Sequence, residues 1–171
     1  MRMLRSIIRT VDTISERLGK ILSFLIFGMT AVLVYEVVVR YAFNAPTIWA
    51  HETSIFFWGY CGVLAGAYTL KHHAHINVDI LYSRLSPRRE AILDVVTGFL
   101  FFFIIALIIY EGWKMGMVAL ATHEHSPTPW SPPIAHFKLV LPVGATLLLV
   151  QGLANWVRSL YLAVTNKELS V

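Results

Sequence analysis

Charged and imidazole side chains beside long apolar runs are the residues of this chain most suited to chemistry, because an ionisable group in a membrane-like setting is costly and tends to have a task. Glu36 and Arg40 stand at i, i+4 in the favoured order, and Glu111 and Lys114 at i, i+3, so each pair can close an ion pair on one helix face. Such pairs could serve a proton or ion path. Both lie toward the ends of apolar runs and not at mid-span, where a coupling carboxylate is expected, so mutual neutralisation or contact with a partner subunit is the better account. Seven histidines raise haem or metal binding. Haem held by paired imidazoles in a helical bundle needs histidines deep within facing spans. Here His72, His73 and His75 share one link, His123 and His125 flank Glu124, and His51 and His136 open apolar runs. Only His51 with His136 could pair, and no further ligand motif suggests zinc or copper.

Trp49 and Glu52 follow the turn residues Asn44-Ala45-Pro46-Thr47. A carboxylate in a first helical turn is favoured by the positive end of the helix dipole, and a tryptophan there anchors at headgroup depth. The single cysteine, Cys61, excludes an intrachain disulfide and a cysteine-based zinc site. No phosphate loop, HExxH or GxSxG occurs, and no nucleophile–base pair has spacing support. The chain is not expected to be an enzyme or to hold a cofactor of its own.

These residues need elements to position them, and the composition says which. The chain is 57% hydrophobic and 14% charged, with a mean hydropathy of +0.64. That is too apolar to leave a water-exposed surface on one soluble domain. The basic residues flank apolar runs and form no stripe suited to nucleic acid. A bilayer core of about 30 Å needs about 20 apolar helical residues, and four runs qualify: 21–43, 48–70, 91–118 and 137–164. They are continuously apolar, without the period-two alternation of a barrel strand. The expected fold is therefore all-α and integral to the membrane, a single domain of four transmembrane helices. Eleven of the fourteen Lys and Arg residues fall on the side of both termini and the link between spans two and three; Arg40, Lys114 and Lys138 fall on the other. The positive-inside rule then places both termini in the cytoplasm.

Two shorter segments are expected to lie at the interface. In residues 1–20, Leu4, Ile7, Val11, Ile14 and Leu18 share a helical face, opposite Arg2, Arg5, Arg9, Asp12 and Glu16. Such a basic amphipathic helix lies in the headgroup plane or along a partner helix. It makes a poor signal peptide, since charges persist to Lys20 and no A-x-A site follows. In residues 75–86, Val78, Leu81, Tyr82 and Leu85 repeat the pattern between spans two and three, ending near Ser86-Pro87. The outer link from Thr122 to His136, with Trp130 near its middle, holds four of the seven prolines and is expected to be extended and stiff. Gly59, Gly62 and Gly66 line span two with small residues, a candidate seam for close helix contact. Pro142 should kink span four, and Gly144 leaves room for a neighbour.

Trp49 and Glu52, the Gly/Ala-rich run through Gly66, the stretch His75-Ile76-Asn77-Val78-Asp79 with Leu81, and Leu141-Pro142-Val143-Gly144 occur in this order in a basic four-span chain. In this the chain resembles the small membrane subunit, the DctQ-like or Q subunit, of tripartite ATP-independent periplasmic (TRAP) transporters. The resemblance implies a small permease in the bacterial inner membrane, working beside two partners. One is a periplasmic substrate-binding protein that captures an organic acid, a carboxylate or sugar acid. The other is a large multi-span membrane subunit that carries the substrate and sodium sites. The small subunit would be a fixed scaffold that needs the lipid bilayer and no ion site of its own, and this chain would be separate from the large subunit. Trp49, Glu52, Glu124 and Trp130 are then candidates for docking, and Glu36, Arg40, Gly66, His75, Asp79, Pro142 and Gly144 for structural roles. The rival readings are a haem-binding anchor of a respiratory enzyme and a small self-sufficient exporter, which would need a mid-span carboxylate.

Overall fold

The computed structural model of the chain describes residues 2–72 and 87–165. The described residues fold into α1 (Arg2–Ala42), α2 (Ala50–Leu64), α3 (Gly66–Lys71), α4 (Pro87–Ala121) and α5 (Ala135–Thr165). Three helices, Ser6–Ala42, Arg88–Ala121 and Ala135–Thr165, are long and apolar enough to cross a membrane. The run expected at 48–70 appears as α2 and α3, which meet at Ala65. That residue keeps helical dihedrals, donates to the Cys61 carbonyl and accepts from the Thr69 amide. Neither α2 nor α3 alone has the length of a span. The interfacial helix expected at 75–86, with His75 and Asp79, lies outside the described residues.

The boundary expected at residue 20 is not a break, for α1 is one helix of 41 residues, about 60 Å long at 1.5 Å per residue. Within the bundle its buried line does not follow the shared apolar face. Ile7 and Ile14 are 55% and 46% exposed, whereas Ile8, at 2%, packs on Ala154 with Val11, Val157 and Tyr161 around it. Among the described side chains of α1, Ile8, Ser15, Leu22 and Glu36 are buried, separated by multiples of seven, a coiled-coil period. The hydrogen bonds of Asp12 and Ser15 to α5 select this face, because in an apolar solvent exposing isoleucines costs little while an unpaired polar group costs much.

α4 and α5 form the most extensive helix pair. Each offers a glycine to an aromatic ring of the other. Trp156 lies where a Gly98 side chain would be, and Phe101 does the same at Gly152. The Trp156 indole also donates to the Val95 carbonyl at 3.1 Å. Nearer the outer loop, Gly112 faces Pro142, and α5 runs through this proline as one helix. α2 reaches α5 at Gly144, where a Cβ would stand 2.8 Å from the Val63 carbonyl oxygen, so the two backbones touch. Gly59 is covered by Phe137, Gly66 makes ordinary contact with Leu148, and Gly62 faces open space. At the other end of α2 and α3, Gly19 of α1 receives the ring of Tyr68.

Candidate functional site

Between α1 and α2 the chain reverses through Asn44, whose φ of 51° is left-handed. Asparagine tolerates that region better than other side chains, and it lets the Ala45 amide return to the Val39 carbonyl at 3.2 Å. Glu36 fastens the turn. One carboxylate oxygen accepts from Arg40, from Nε at 2.9 Å and also from Nη2. The other accepts from the Thr47 amide at 3.2 Å and from the Thr47 hydroxyl. The Thr47 hydroxyl in turn accepts from the Ala50 amide at 3.4 Å, at the start of α2. Tyr35 stacks on Trp49 with ring centres 5.8 Å apart. The Glu36–Arg40 pair expected from spacing thus exists, and it serves a helix–turn–helix joint.

The outer link does not run extended. It doubles back, with His123 and Ser131 left-handed, the Ser126 amide bonded to the Pro132 carbonyl at 2.9 Å, and the Ile134 amide to the Glu124 carbonyl at 3.1 Å. Extended prolines would have left these amides without chain partners; the fold-back satisfies them. Two acids tie the link to the bundle. Glu52, buried in the first turn of α2, accepts from the Thr128 hydroxyl at 2.5 Å. Glu124 accepts from Lys138 Nζ at 2.7 and 2.6 Å. Trp130 stays 39% exposed on the link, and the His136 ring lies against Phe56 and Tyr60 at 5.3 and 6.3 Å. Of the docking candidates, Trp49, Glu52, Glu124 and Trp130 therefore all belong to the region formed by the α1–α2 turn and the outer link. Glu111 and Lys114 are farther apart, at 3.9 Å, and both exposed.

The sequence pattern did not point to a second cluster. Gln151, with no exposed surface, stands near the middle of α5. Its amide donates to Asp12 at 3.0 Å and to Asn155 at 3.3 Å, and its carbonyl accepts from the Ser15 hydroxyl at 2.7 Å. Asp12 also pairs with Arg158, whose other Nη donates to Asn155 at 3.1 Å. Asn155 closes the circuit by donating to the Leu70 carbonyl at 3.0 Å, so α1, α3 and α5 meet in one network. Nearby, Glu16 receives Lys71 at 2.7 Å, His72 at 3.0 Å and Lys20 at 3.6 Å. On α4, Asp94 accepts from Ser159 at 3.2 Å, and Arg88 donates to the Ala163 carbonyl at 3.2 Å. A signal was there to be used: Gln151, Asn155 and Arg158 recur at i, i+4, i+7 inside an apolar run, with Asp12 and Ser15 at i, i+3 opposite.

Among the described residues, every buried side-chain nitrogen and oxygen has a partner, and no three His, Cys, Asp or Glu residues gather as metal ligands would. The arrangement can fasten helices and present a loop. It positions no reacting group.

Long apolar helices fastened by paired polar groups define a helical membrane subunit, and comparison with known proteins gives its kind. The model of the DctQ component of tripartite ATP-independent periplasmic transporters matches residues 29–161, so the chain belongs to that family. It is similar to the C4-dicarboxylate TRAP transporter small permease protein DctQ of Vibrio cholerae, 32% identical over 78 residues, which are 46% of this chain and 32% of that protein. It is 28% identical over 112 residues to a putative TRAP transporter small permease protein of Haemophilus influenzae, covering 65% of this chain and 67% of the relative. Identity to the isethionate TRAP transporter permease protein DctMQ of Oleidesulfovibrio alaskensis is 27% over 147 residues, 79% of this chain but 23% of that one. The matches thus span about a third of the Vibrio protein and under a quarter of DctMQ. The family and these relatives are transporter components, not enzymes.

Proposed function

We propose that this chain is the fixed scaffold of a TRAP-type uptake system for an organic acid, holding a larger membrane subunit in place and helping to seat a periplasmic binding protein. In this reading α2 and α3 together make a fourth crossing. The N-terminus of α1 and the C-terminus of α5 face the cytoplasm of a bacterial inner membrane. Substrate and sodium sites belong to the larger partner. The observation that carries the reading is the internal closure of the polar groups: Asp12, Ser15, Glu36, Glu52 and Gln151 each spend their bonding capacity on other helices or turns of the same chain. A moving or ion-coupling element keeps polar groups available for its cargo; a frame uses them to hold shape. The low share of DctMQ that aligns here, in a protein named as a permease, supports a small unit working beside a larger one.

Docking is assigned to the outer link with the α1–α2 turn, where Trp49 and Trp130 flank acids already anchored by Thr128 and Lys138. The haem-anchor reading is not favoured, since His136 is engaged by aromatic rings and the family is one of transporter components. Tagging this chain and purifying it from its native membrane tests the proposal. Recovery of a large multi-span permease supports it; recovery with redox subunits and a Soret band, or with no partner, overturns it.

A further inference from the structure

Beyond assembly, the outward face of α1 has an unused binding chemistry. Ser6, Arg9, Thr10, Thr13, Ile14 and Arg17 line a groove of about 350 Å³ on the side of the helix turned away from the bundle. No carboxylate lines it. Among the described residues the acids nearby are engaged elsewhere: Asp12 by Arg158 and Gln151, Glu16 by Lys71, His72 and Lys20. Arg9 and Arg17 have no ion pair or hydrogen bond from their guanidinium groups among the described residues. The Thr10 and Thr13 hydroxyls donate to the Ser6 and Arg9 carbonyls, at 3.0 and 2.7 Å, and so add no competing charge. One turn beyond Arg17 the same face becomes apolar, with Ile21 62% and Phe24 and Phe27 each 73% exposed.

We propose that this face binds an anionic phospholipid, its phosphate held by Arg17 and Arg9 and its acyl chains lying along Ile21, Phe24 and Phe27. Two guanidinium groups with no opposing acid among the described residues call for an anion, and guanidinium suits phosphate through paired donors. The abrupt change from basic to apolar on one face selects an amphiphile over a soluble anion. Arg17 and Phe24 are separated by about 10 Å along the helix, so a headgroup at the arginine leaves its chains beside the rings. Arg9 stands about 12 Å from Arg17 on the same measure, so in this arrangement the two long side chains extend toward each other to share one phosphate.

The test measures lipid retention by native mass spectrometry, on the full chain purified with any subunit that accompanies it, in neutral detergent with added phosphatidylglycerol or phosphatidylcholine. The wild type should retain phosphatidylglycerol in preference, and raising the salt should weaken that retention without affecting phosphatidylcholine. R9Q/R17Q should bind phosphatidylglycerol roughly 30-fold more weakly, about fivefold for each arginine neutralised. R9K/R17K should stay within a fewfold of wild type, and R89Q/K114Q, with the same change in net charge, should match it. Equal retention of phosphatidylcholine, no difference between R9Q/R17Q and R89Q/K114Q, or release of the lipid by millimolar inorganic phosphate would each overturn the assignment, the last by marking a site for the free anion.

Discussion

Replacing Gln151 by leucine removes the hub of the α1–α3–α5 network while nearly keeping the side-chain volume, so the cost should come from hydrogen bonds and not from a cavity. The substitution removes three bonds, to Asp12, Asn155 and Ser15, with lengths of 3.0, 3.3 and 2.7 Å. Interhelical hydrogen bonds in membrane bundles average about 0.6 kcal/mol, and in soluble proteins about 1 kcal/mol. The sum is about 2–3 kcal/mol, of which the two bonds that cross to α1, about 1–2 kcal/mol, fall on the docking of α1 against α5, where the Asp12–Arg158 pair remains. The assay is unfolding of the purified chain in mixed micelles by titration with a denaturing detergent, with Ser15→Ala and the double variant completing a thermodynamic cycle. Ser15→Ala alone should cost about 0.6–1 kcal/mol, but much less in the Gln151→Leu background, where the hydroxyl no longer has its acceptor. If Gln151→Leu lies within about 0.5 kcal/mol of wild type, the range of unremarkable surface changes, or if the two substitutions simply add, the network does not hold α1 and the reasoning fails.

Gly144→Val should destabilise by about 1–3 kcal/mol, because its side chain meets the Val63 backbone, whereas Gly62→Ala, facing open space, should be near neutral in the same assay. Thr47→Val keeps shape but removes the hydroxyl bond to Glu36 and the acceptor for the Ala50 amide, leaving the turn held to Glu36 only by the Thr47 amide. A cost of about 1 kcal/mol is expected, with faster proteolysis near residues 43–49 as the local readout. Charge reversal at Glu52 or Glu124, as E52K or E124K, should weaken substrate uptake by the assembled transporter at unchanged membrane abundance. In E124K two ammonium groups would meet at the Lys138 position, and unchanged uptake kinetics would remove the outer link from the docking role.

Helical character and membrane compatibility were legible because they depend on long-range composition: the apolar runs at 91–118 and 137–164 lie inside α4 and α5. The Glu36–Arg40 pair was legible because i, i+4 contact is a property of one helix. What escaped needed knowledge of two helices at once. The isoleucines of α1 suggest one buried face, as hydrophobic patterning in water would, yet Asp12 and Ser15 decide it through partners 139 and 136 residues away. In a membrane the apolar stripe carries little information about which side faces protein, and the sparse polar residues carry most of it. The outer link misled for a related reason. Its prolines describe the stiffness of single residues, whereas its path is set by where the remaining amides find carbonyls.

The seven-residue spacing along α1 has a mechanical consequence. Ser15 and Glu36 are 21 residues apart on one line, each bonded to a different part of the chain, which puts the two attachments about 32 Å from each other. Turning the helix by a single residue would swing both side chains through about 100° and break both attachments together. Rotation about its own axis is therefore opposed at two distant points at once, so the two ends of this rod turn together or not at all.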